Sequence, residues 1–373
     1  MNSGKHIAFL CSSLSWGGLE MNVLRFAGWM KDEGYTVSVW CVSDSPLGEA
    51  AQAAKHRCVF IKHHIKYGDL KGAIRLAKLF TEHEVDVVWI RDTRDMSICG
   101  WAKRWSTRKI SILYQQAMQL GVSKRDPIHT DRFKRIDAWV APLNYLAEQV
   151  KTMTRYPANR IAVIPLAVDV ERFSSALSKN EARTALGLPT DRLLLGTVGR
   201  IDPLKGQAFL IEQFASICEK GLDVDLVIVG DPTRNEGDAY LKQLKQLAET
   251  APVQGRVHFR PHRDDVENVY RALDVFAMAS TGETFGMVTI EAMVSGCAVV
   301  GTNRSGTPEL LADGRGALYE PDDSASFLEA VEPVLVDAEV RAAMSAKAYA
   351  HAASTFHRQR VLEQLRHLVN TLG

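Results

Sequence analysis

The sequence TGETFGMVTIEAMVSG, residues 281–296, joins a glycine-containing turn to the start of an apolar helical pattern. After the turn, apolar side chains recur at intervals of three and four residues, which is the spacing of one helix face. Glu283 precedes this predicted helix and Glu291 lies within it. A short apolar run, 275–279, comes just before the turn, so the stretch predicts a strand–turn–helix unit of a parallel α/β sheet.

The start of this predicted helix is a candidate binding site. Unpaired backbone N–H groups and the positive end of the helix dipole favour a phosphate there. Carboxylates beside such a site can accept hydrogen bonds from hydroxyl groups of the ligand. A sugar nucleotide carries both phosphate and hydroxyls, so it is the first hypothesis for the ligand. Paired acid and base carboxylates flanking one bond, as in a glycosidase, are the alternative. Glu291 lies more than a helical turn beyond Glu283, which favours two anchors along one extended ligand.

Short β-branched runs alternate with helical patterns along the whole chain. In the first half, the predicted strands are 6–11, 36–42, 85–91, 110–114, 138–141 and 161–164, with helices at 19–33, 69–84 and 144–154. In the second half, the strands are 193–198, 224–229, 257–260, 275–279 and 298–301, with helices at 205–220, 239–250, 266–273 and 285–295. Such alternation predicts an α/β protein with two doubly wound, Rossmann-like domains.

The predicted domains are residues 1–170 and 171–355, and the C-terminal helix, 356–373, is expected to join the first. The boundary falls near 166–178, after the last strand of the first half. Ligands of open parallel sheets bind beyond the carboxyl ends of the strands. We therefore expect the active site in the cleft between the two domains, where hinge closure would complete it.

Composition places the chain among globular proteins. It has 373 residues, 46% of them hydrophobic and 24% charged, which suits two domains of ordinary size. No apolar run is long enough for a membrane-spanning helix, and the first residues lack the order of a signal peptide. The six cysteines form no Cys-x-x-Cys pair, so free thiols in the cytoplasm are expected.

Charge is divided unevenly between the halves. Residues 1–170 contain 24 Lys/Arg and 16 Asp/Glu, whereas the remainder contains 21 Lys/Arg and 28 Asp/Glu. Much of the basic excess lies between Lys103 and Arg135. An ordinary solvated surface explains it as well as any partner does. The next alternatives are an anionic membrane, contacted peripherally at its inner face, or an acidic acceptor. Nucleic acid ranks last because few aromatic residues are interleaved with the cations.

Two further loops follow predicted strands. SSLSWGG, residues 12–18, ends in Gly17 and Gly18, which let a ligand approach the backbone but do not form the Gly-x-Gly-x-x-Gly of dinucleotide folds. GRIDPLKG, residues 199–206, carries Arg200 and Lys205. Two cations at a strand end can hold a diphosphate and stabilise charge on a leaving group. Two ordinary surface cations are the alternative.

Together these motifs resemble those of the retaining glycosyltransferases of family 4 (glycosyl transferases group 1), which have the two-domain GT-B fold. The resemblance rests on the paired glycines, on Arg200 with Lys205 five residues later, and on Glu283 and Glu291, all in the family's order. It implies transfer of a sugar from a UDP-, GDP- or ADP-sugar, without a metal. Retention in the family is attributed to front-face attack, in which the leaving phosphate assists deprotonation of the acceptor.

The resemblance also implies a role for each motif residue. Arg200 and Lys205 would hold the diphosphate, with Glu283 facing the donor sugar; these three are the predicted catalytic residues. Glu291 would accept hydrogen bonds from the ribose. The other predicted donor contacts are Gly17, Gly18, Phe285, Gly286, Met287, Val288 and Arg260.

Acceptor-side candidates follow strands of the first half. Many relatives place a histidine after the fourth predicted strand, but this chain has Gln115 and Gln116 there, and glutamine cannot titrate near pH 7. Asp92 is a candidate for acceptor binding or base assistance, although an ion pair with Arg91 is the stronger interpretation. His129 is a further candidate, with simple surface exposure as its alternative.

The remaining polar motifs predict no site. His63 and His64 are expected at the surface. Asp223 and Asp225 match an Asp-x-Asp metal motif but precede a strand, so they are expected to be structural. The leading hypothesis is a glycosyltransferase of cell-envelope polysaccharide or glycolipid synthesis acting on a glycan, lipid-linked or small-molecule acceptor. The alternatives are a catalytically silent GT-B scaffold that binds nucleotide sugar or membrane, and a GT-B sugar-nucleotide epimerase.

Overall fold

The structure is a computed structural model that describes residues 4–174, 177–232 and 238–372. Residues 175 and 176 of the predicted boundary segment lie outside the described part. The chain forms two compact units, Met1–Pro165 with Val361–Gly373, and Leu166–Arg360. The predicted domain limits, after 170 and after 355, stay predictions.

The first unit is built on a seven-stranded parallel sheet. Its strands are β1 (His6–Cys11), β2 (Thr36–Val42), β3 (Cys58–Ile61), β4 (Val87–Ile90), β5 (Ser111–Gln115), β6 (Ala138–Ala141) and β7 (Ile161–Val163). They lie in the order β3-β2-β1-β4-β5-β6-β7. The helices are α1 (Gly18–Asp32), α2 (Pro46–Ala53), α3 (Leu70–Glu82), α4 (Asp95–Trp105), α5 (Pro127–Lys134) and α6 (Asn144–Met153).

The second unit repeats this plan with six parallel strands. They are β8 (Leu193–Val198), β9 (Val224–Val229), β10 (Val257–Arg260), β11 (Val275–Met278), β12 (Ala298–Thr302) and β13 (Ala317–Tyr319), in the order β10-β9-β8-β11-β12-β13. The helices are α7 (Val170–Ser174), α8 (Lys179–Ala185), α9 (Gln207–Glu219), α10 (Ala239–Ala248), α11 (Val266–Ala272), α12 (Met287–Val294), α13 (Thr307–Leu311), α14 (Ser324–Val336) and α15 (Ala338–Thr355). The last helix, α16 (Arg358–Thr371), begins in this unit and belongs mostly to the first.

Central strands are buried on both faces, which is why their sequences read as continuous apolar runs. Every residue of β1 and β9 is buried. Most of α16 packs with the first unit, where Lys5 donates hydrogen bonds to the carbonyls of Val369, Asn370 and Leu372. The predicted fold class, two Rossmann-like parallel-sheet domains, is confirmed.

Candidate functional site

The second sheet changes direction between β8 and β11. These strands are neighbours and parallel, with Val275 opposite Leu195, while chain order runs outward on either side of them. Ligands of doubly wound sheets bind beyond the carboxyl ends of the strands at such a switch point. The loops that leave this point are residues 199–206 and 279–286, which contain the two central sequence motifs.

The first loop turns sharply and ends against the second. The Asp202 carboxylate accepts a hydrogen bond from the Leu204 N–H (2.9 Å) and begins a 3₁₀ turn over Pro203–Lys205. Gly206 then adopts a φ of +71°, and a Cβ there would lie 2.3 Å from the Ala279 carbonyl oxygen. Only glycine combines this backbone conformation with so close an approach.

Three polar contacts join the two loops. The Leu204 carbonyl accepts hydrogen bonds from the Thr281 N–H (3.3 Å) and the Ser280 hydroxyl (3.2 Å). Lys205 Nζ lies 2.8 Å from Glu283 Oε2, and the two side chains are 30% and 20% exposed. The structure therefore brings together two of the predicted catalytic residues, and solvent reaches both.

Arg200, the third predicted catalytic residue, leaves the same loop. Its side chain is 57% exposed, and its guanidinium lies 3.8 Å from the Asp202 carboxylate. Gln207 donates a hydrogen bond to the Arg200 carbonyl (2.7 Å), which fixes the backbone while the cation stays at the surface. This cation can swing toward an anion without breaking a buried contact.

The second loop enters α12 through Gly286, whose φ is +89°. Within the described residues no side chain caps this helix by a hydrogen bond. Phe285 is buried and packs edge-on against Phe356, whereas Met287 and Val288 are half-buried. The predicted donor contacts at 285–288 thus form the entry of the helix, directly after Glu283.

Glu291 lies further along α12, where Tyr270 donates a hydrogen bond from its hydroxyl to Glu291 Oε2 (3.0 Å). Burial and the adjacent Glu291 charge raise the pKa of Tyr270, so the phenol stays protonated and remains a donor. This contact orients the carboxylate. Arg260 instead donates to the backbone carbonyls of Leu186 and Gly187 (both 2.6 Å), and so fastens the segment before β8.

The first sheet has an equivalent switch point between β1 and β4. Its loops are joined by Ser12, which donates from its hydroxyl to Asp95 Oδ1 (2.5 Å) and from its N–H to Oδ2 (3.3 Å). His64 Nε2 lies 3.2 Å from Asp95 Oδ1. All three residues are buried, so the prediction that His64 lies at the surface is wrong. Sequence reasoning missed this cluster, although Ser12 follows β1 directly.

Gly17 and Gly18 follow this cluster. Gly17 is the extended residue before α1 (φ −171°), and Gly18, the first residue of the helix, is exposed. Two adjacent residues without side chains thus open the helix start of the first unit.

The two glutamines after β5 are buried. Trp89 donates its indole N–H to Gln115 Oε1 (3.2 Å), and Trp139 donates to Gln116 Oε1 (3.0 Å). The side chains are 0% and 1% exposed. Both carboxamide oxygens therefore hold tryptophans of the sheet, and both residues stay acceptor-side predictions only.

Asp92 and Arg91 do not pair. Asp92 instead accepts hydrogen bonds from the backbone N–H (2.8 Å) and the Nε (3.0 Å) of Arg94, while the Arg91 guanidinium lies 5.9 Å from the ring centroid of Phe26. The interpretation of an Arg91–Asp92 ion pair is therefore wrong. Asp92 is 6% exposed and stays an acceptor-side prediction.

His129 lies in α5 and forms a polar chain. Its Nδ1 lies 2.7 Å from Asp126 Oδ2, and its Nε2 lies 3.4 Å from the Tyr67 hydroxyl. The imidazole is thus oriented by neighbours from two segments of the first unit.

Two family profiles match the chain. The profile described as Glycosyltransferase Family 4 covers residues 16–172, and the one described as Glycosyl transferases group 1 covers 178–351. The chain belongs to this glycosyltransferase family. The resemblance drawn from the glycine, Arg/Lys and glutamate motifs is confirmed.

One curated relative of this family 4 chain is the D-inositol 3-phosphate glycosyltransferase of Corynebacterium urealyticum, 34% identical over 52% of this chain and 47% of the relative. The chain thus spans about half the length of the curated relatives it matches. A Rickettsia africae glycosyltransferase structure has a TM-score of 0.86 at 17% identity, covering 99% of both chains. Anabaena Alr3699/HepE in complex with UDP has a TM-score of 0.84 at 22% identity, covering 98% of this chain and 100% of the other. Both structures share the fold.

Other polar groups of this family 4 chain form structural contacts. Asp225 accepts hydrogen bonds from Arg192 (3.1 Å) and His258 (2.7 Å). Burial raises the pKa of Asp225, but these two partners outweigh burial and lower it overall. Within the described residues, no group of three His, Cys, Asp or Glu side chains is arranged to hold a metal. Across the same residues, no helix has the length and apolarity needed to cross a membrane.

Proposed function

We propose that the chain transfers a sugar from a nucleotide-diphosphate sugar to a hydroxyl acceptor, with retention of configuration at the transferred carbon. The observation that carries the proposal is the Lys205–Glu283 pair, 2.8 Å apart and partly exposed at the switch point of the second sheet. A cation for a diphosphate and a carboxylate for sugar hydroxyls stand side by side there.

Charge exchange explains why this pair suits a donor. Lys205 and Glu283 balance one another while the site is empty, and an exposed pair of this kind contributes little to folding stability. An arriving diphosphate supplies new negative charge for Lys205 and for Arg200, and Glu283 is then available to sugar hydroxyls. Both cations would stabilise the charge that develops on the leaving diphosphate.

The remaining donor contacts follow the geometry of α12. Phe285, Gly286, Met287 and Val288 would present backbone N–H groups at the helix start, where an anion is favoured. Glu291, oriented by Tyr270, would accept hydrogen bonds from the ribose. Gly17, Gly18 and Arg260 stay predicted donor contacts.

The proton of the acceptor is best taken by the leaving phosphate. Gln115 and Gln116 stand where many relatives have a histidine, and neither glutamine titrates in the physiological range. The donor is a UDP-, GDP- or ADP-sugar. UDP is the first to test because the Anabaena structure of the same fold holds it.

The acceptor is a glycan, a lipid-linked sugar or a small molecule of cell-envelope synthesis. The curated relatives are named for transfer to D-inositol 3-phosphate, which makes a phosphorylated polyol one acceptor to test. The basic residues between Lys103 and Arg135 would favour an anionic membrane surface, consistent with a peripheral cytoplasmic enzyme.

The decisive experiment replaces Glu283 by Gln. Transfer from a panel of nucleotide sugars should fall about 10²- to 10³-fold, because the carboxylate that orients the sugar is lost. Donor binding, measured by calorimetry, should change much less. Thermal unfolding of both proteins checks that the fold is intact.

Glu332→Gln provides a matched control, because Glu332 also pairs with a lysine, Lys220, in the same unit. Undiminished transfer by Glu283→Gln would refute the proposed role. A wild-type protein that binds nucleotide sugar without turnover would instead be the silent scaffold, and one that only alters the sugar on its nucleotide would be the epimerase.

A further inference from the structure

A cavity of about 470 Å³ lies within the first unit, between the segment before α3 and helices α4 and α5. Its volume is in the range of small-molecule sites, about 300–1,000 Å³. Most of its surface is apolar, and its main apolar walls are Tyr67, Leu70, Trp101, Pro127 and Ile128. Ile128 is 68% exposed, so the cavity opens to solvent on this side.

One buried cation lies on the cavity wall. Arg132 is 5% exposed, and its Nε and Nη2 are buried without a hydrogen-bond partner among the described residues. Asp131, which also lines the cavity, is already paired with Arg135 at 2.6 Å. Asp92 and Asp95 add negative charge near Arg132, but in the described part of the chain neither forms an ion pair with it. A buried guanidinium with unpaired N–H groups is costly, and an anion would satisfy it.

The apolar wall and the cation belong to one surface. The Arg132 guanidinium lies 5.3 Å from the centroid of the Tyr67 ring, and the Tyr67 hydroxyl reaches His129. A ligand that places an oxyanion at Arg132 would therefore lay its body along Tyr67 and Ile128. Inorganic phosphate would gain only the contact with Arg132. A neutral apolar molecule would gain only the contact with Tyr67 and Ile128.

We propose that this cavity binds an oxyanion, phosphate or carboxylate, carried on an apolar body, and that Arg132 is its anion partner. The assignment of this ligand to the acceptor side rests on the proposed function. Binding itself does not, because all the residues named lie in the first unit and no nucleotide sugar is needed.

Calorimetry with the full chain tests the proposal, using hexyl phosphate as the probe. Hexanoate distinguishes carboxylate from phosphate, while inorganic phosphate and hexanol each carry one half of the recognition. Vesicles of phosphatidylcholine with phosphatidic acid show whether a lipid headgroup can supply the anion. We expect hexyl phosphate or hexanoate to bind at least tenfold more tightly than inorganic phosphate and hexanol.

Arg132→Gln should weaken that binding about tenfold or more, because a charge-assisted contact is lost. Arg125→Gln is the matched control, since Arg125 is an exposed cation of the same basic segment that does not line the cavity. If Arg132→Gln does not fold, Ile128→Glu provides the test. It places a carboxylate at the exposed cavity wall, which should repel the anionic probe and weaken its binding. Val122→Glu, at a residue 60% exposed outside the cavity, is its control.

Equal binding by wild type, Arg132→Gln and Ile128→Glu would overturn the proposal. So would the absence of binding by every probe, or hexanol binding as tightly as hexyl phosphate. If Arg132→Gln or Ile128→Glu loses probe binding while sugar transfer in saturating acceptor stays intact, the cavity is supported as a binding site. The same result would show that this site is distinct from the acceptor position. Probe binding by a chain without transferase activity would leave the cavity supported and the proposed function refuted.

Discussion

The two switch points have the same topology but join their loops by different chemistry. In the first unit, Ser12 and Asp95 are buried and bind directly, with His64 beside them. In the second unit, Lys205 and Glu283 pair where both side chains reach solvent. The comparison separates a contact that holds loops in place from one that a ligand can enter.

Solvation explains the difference. Burial raises the pKa of Asp95. The hydrogen bonds from Ser12 and the adjacent His64 imidazole oppose this rise, so removing one partner leaves a buried carboxylate poorly compensated. The exposed pair keeps much of its hydration and exchanges partners at low cost. We therefore expect mutations at the first switch point to affect stability, and mutations at the second to affect transfer.

Lys205→Ala should have the largest effect. Transfer should fall about 10²- to 10³-fold, equivalent to about 3–4 kcal/mol of barrier, because the diphosphate loses a charge partner. Steady-state kinetics with the active donor measures this. Folding stability should change by only about 1 kcal/mol, since solvent reaches both side chains of the pair.

Lys220→Ala, which breaks the exposed Lys220–Glu332 pair, is the control and should leave transfer unchanged. If Lys205→Ala lowered stability by several kcal/mol while transfer per folded molecule stayed constant, the two switch points would not differ in the way described.

Gly206→Ala tests whether loop geometry supports the exposed pair. The φ of +71° disfavours alanine, and the new Cβ would meet the Ala279 carbonyl at 2.3 Å. We expect a loss of about 2–3 kcal/mol in the free energy of unfolding, measured by denaturant titration, together with weaker donor binding. Gly221→Ala has a similar φ, +74°, but open space around it, and isolates the conformational part. Equal losses in the two variants would show that the Ala279 contact is unimportant.

Most of the fold follows from local sequence. The mostly apolar sequences of the buried strands β1, β8, β9 and β11 predict them, and each is found within a residue of its predicted limits. The sequence did not predict the edge strands β3 and β13, whereas the other two edge strands, β7 and β10, have the same lengths and were predicted. Because β3 was not predicted, the strand that ends at Gln115 was numbered the fourth, whereas it is the fifth strand of the structure.

The candidate site followed from sequence only where a loop carries its own chemistry. Arg200, Lys205 and Glu283 stand out because charged residues follow buried strands. The burial of His64 and that of Arg132 depend on contacts between segments far apart in the chain. Asp95 contacts the loop before α3, and α5 contacts Tyr67. No local pattern reports such contacts, and neighbouring His63 and His64 look alike in sequence although only one is buried.

His64→Gln should have the smallest effect, and its size should depend on pH. Burial lowers the pKa of His64, but the Asp95 carboxylate 3.2 Å away outweighs burial, so the pKa is raised overall. A raised pKa in the folded state means that folding favours the protonated imidazole. The contribution of His64 to stability is therefore fully present below its unfolded pKa, about 6.5, and is lost as the pH rises through the folded value.

The variant should accordingly lose about 1–2 kcal/mol of unfolding free energy near pH 6 and clearly less near pH 9, measured by urea titration at both pH values. His63→Gln, at the exposed neighbouring position, should lose little at either pH. A loss that is the same at both pH values would mean that His64 acts by packing alone. In that case the polar contacts that stabilise the buried switch point would be those between Ser12 and Asp95, and protonation of the imidazole would not contribute to folding stability.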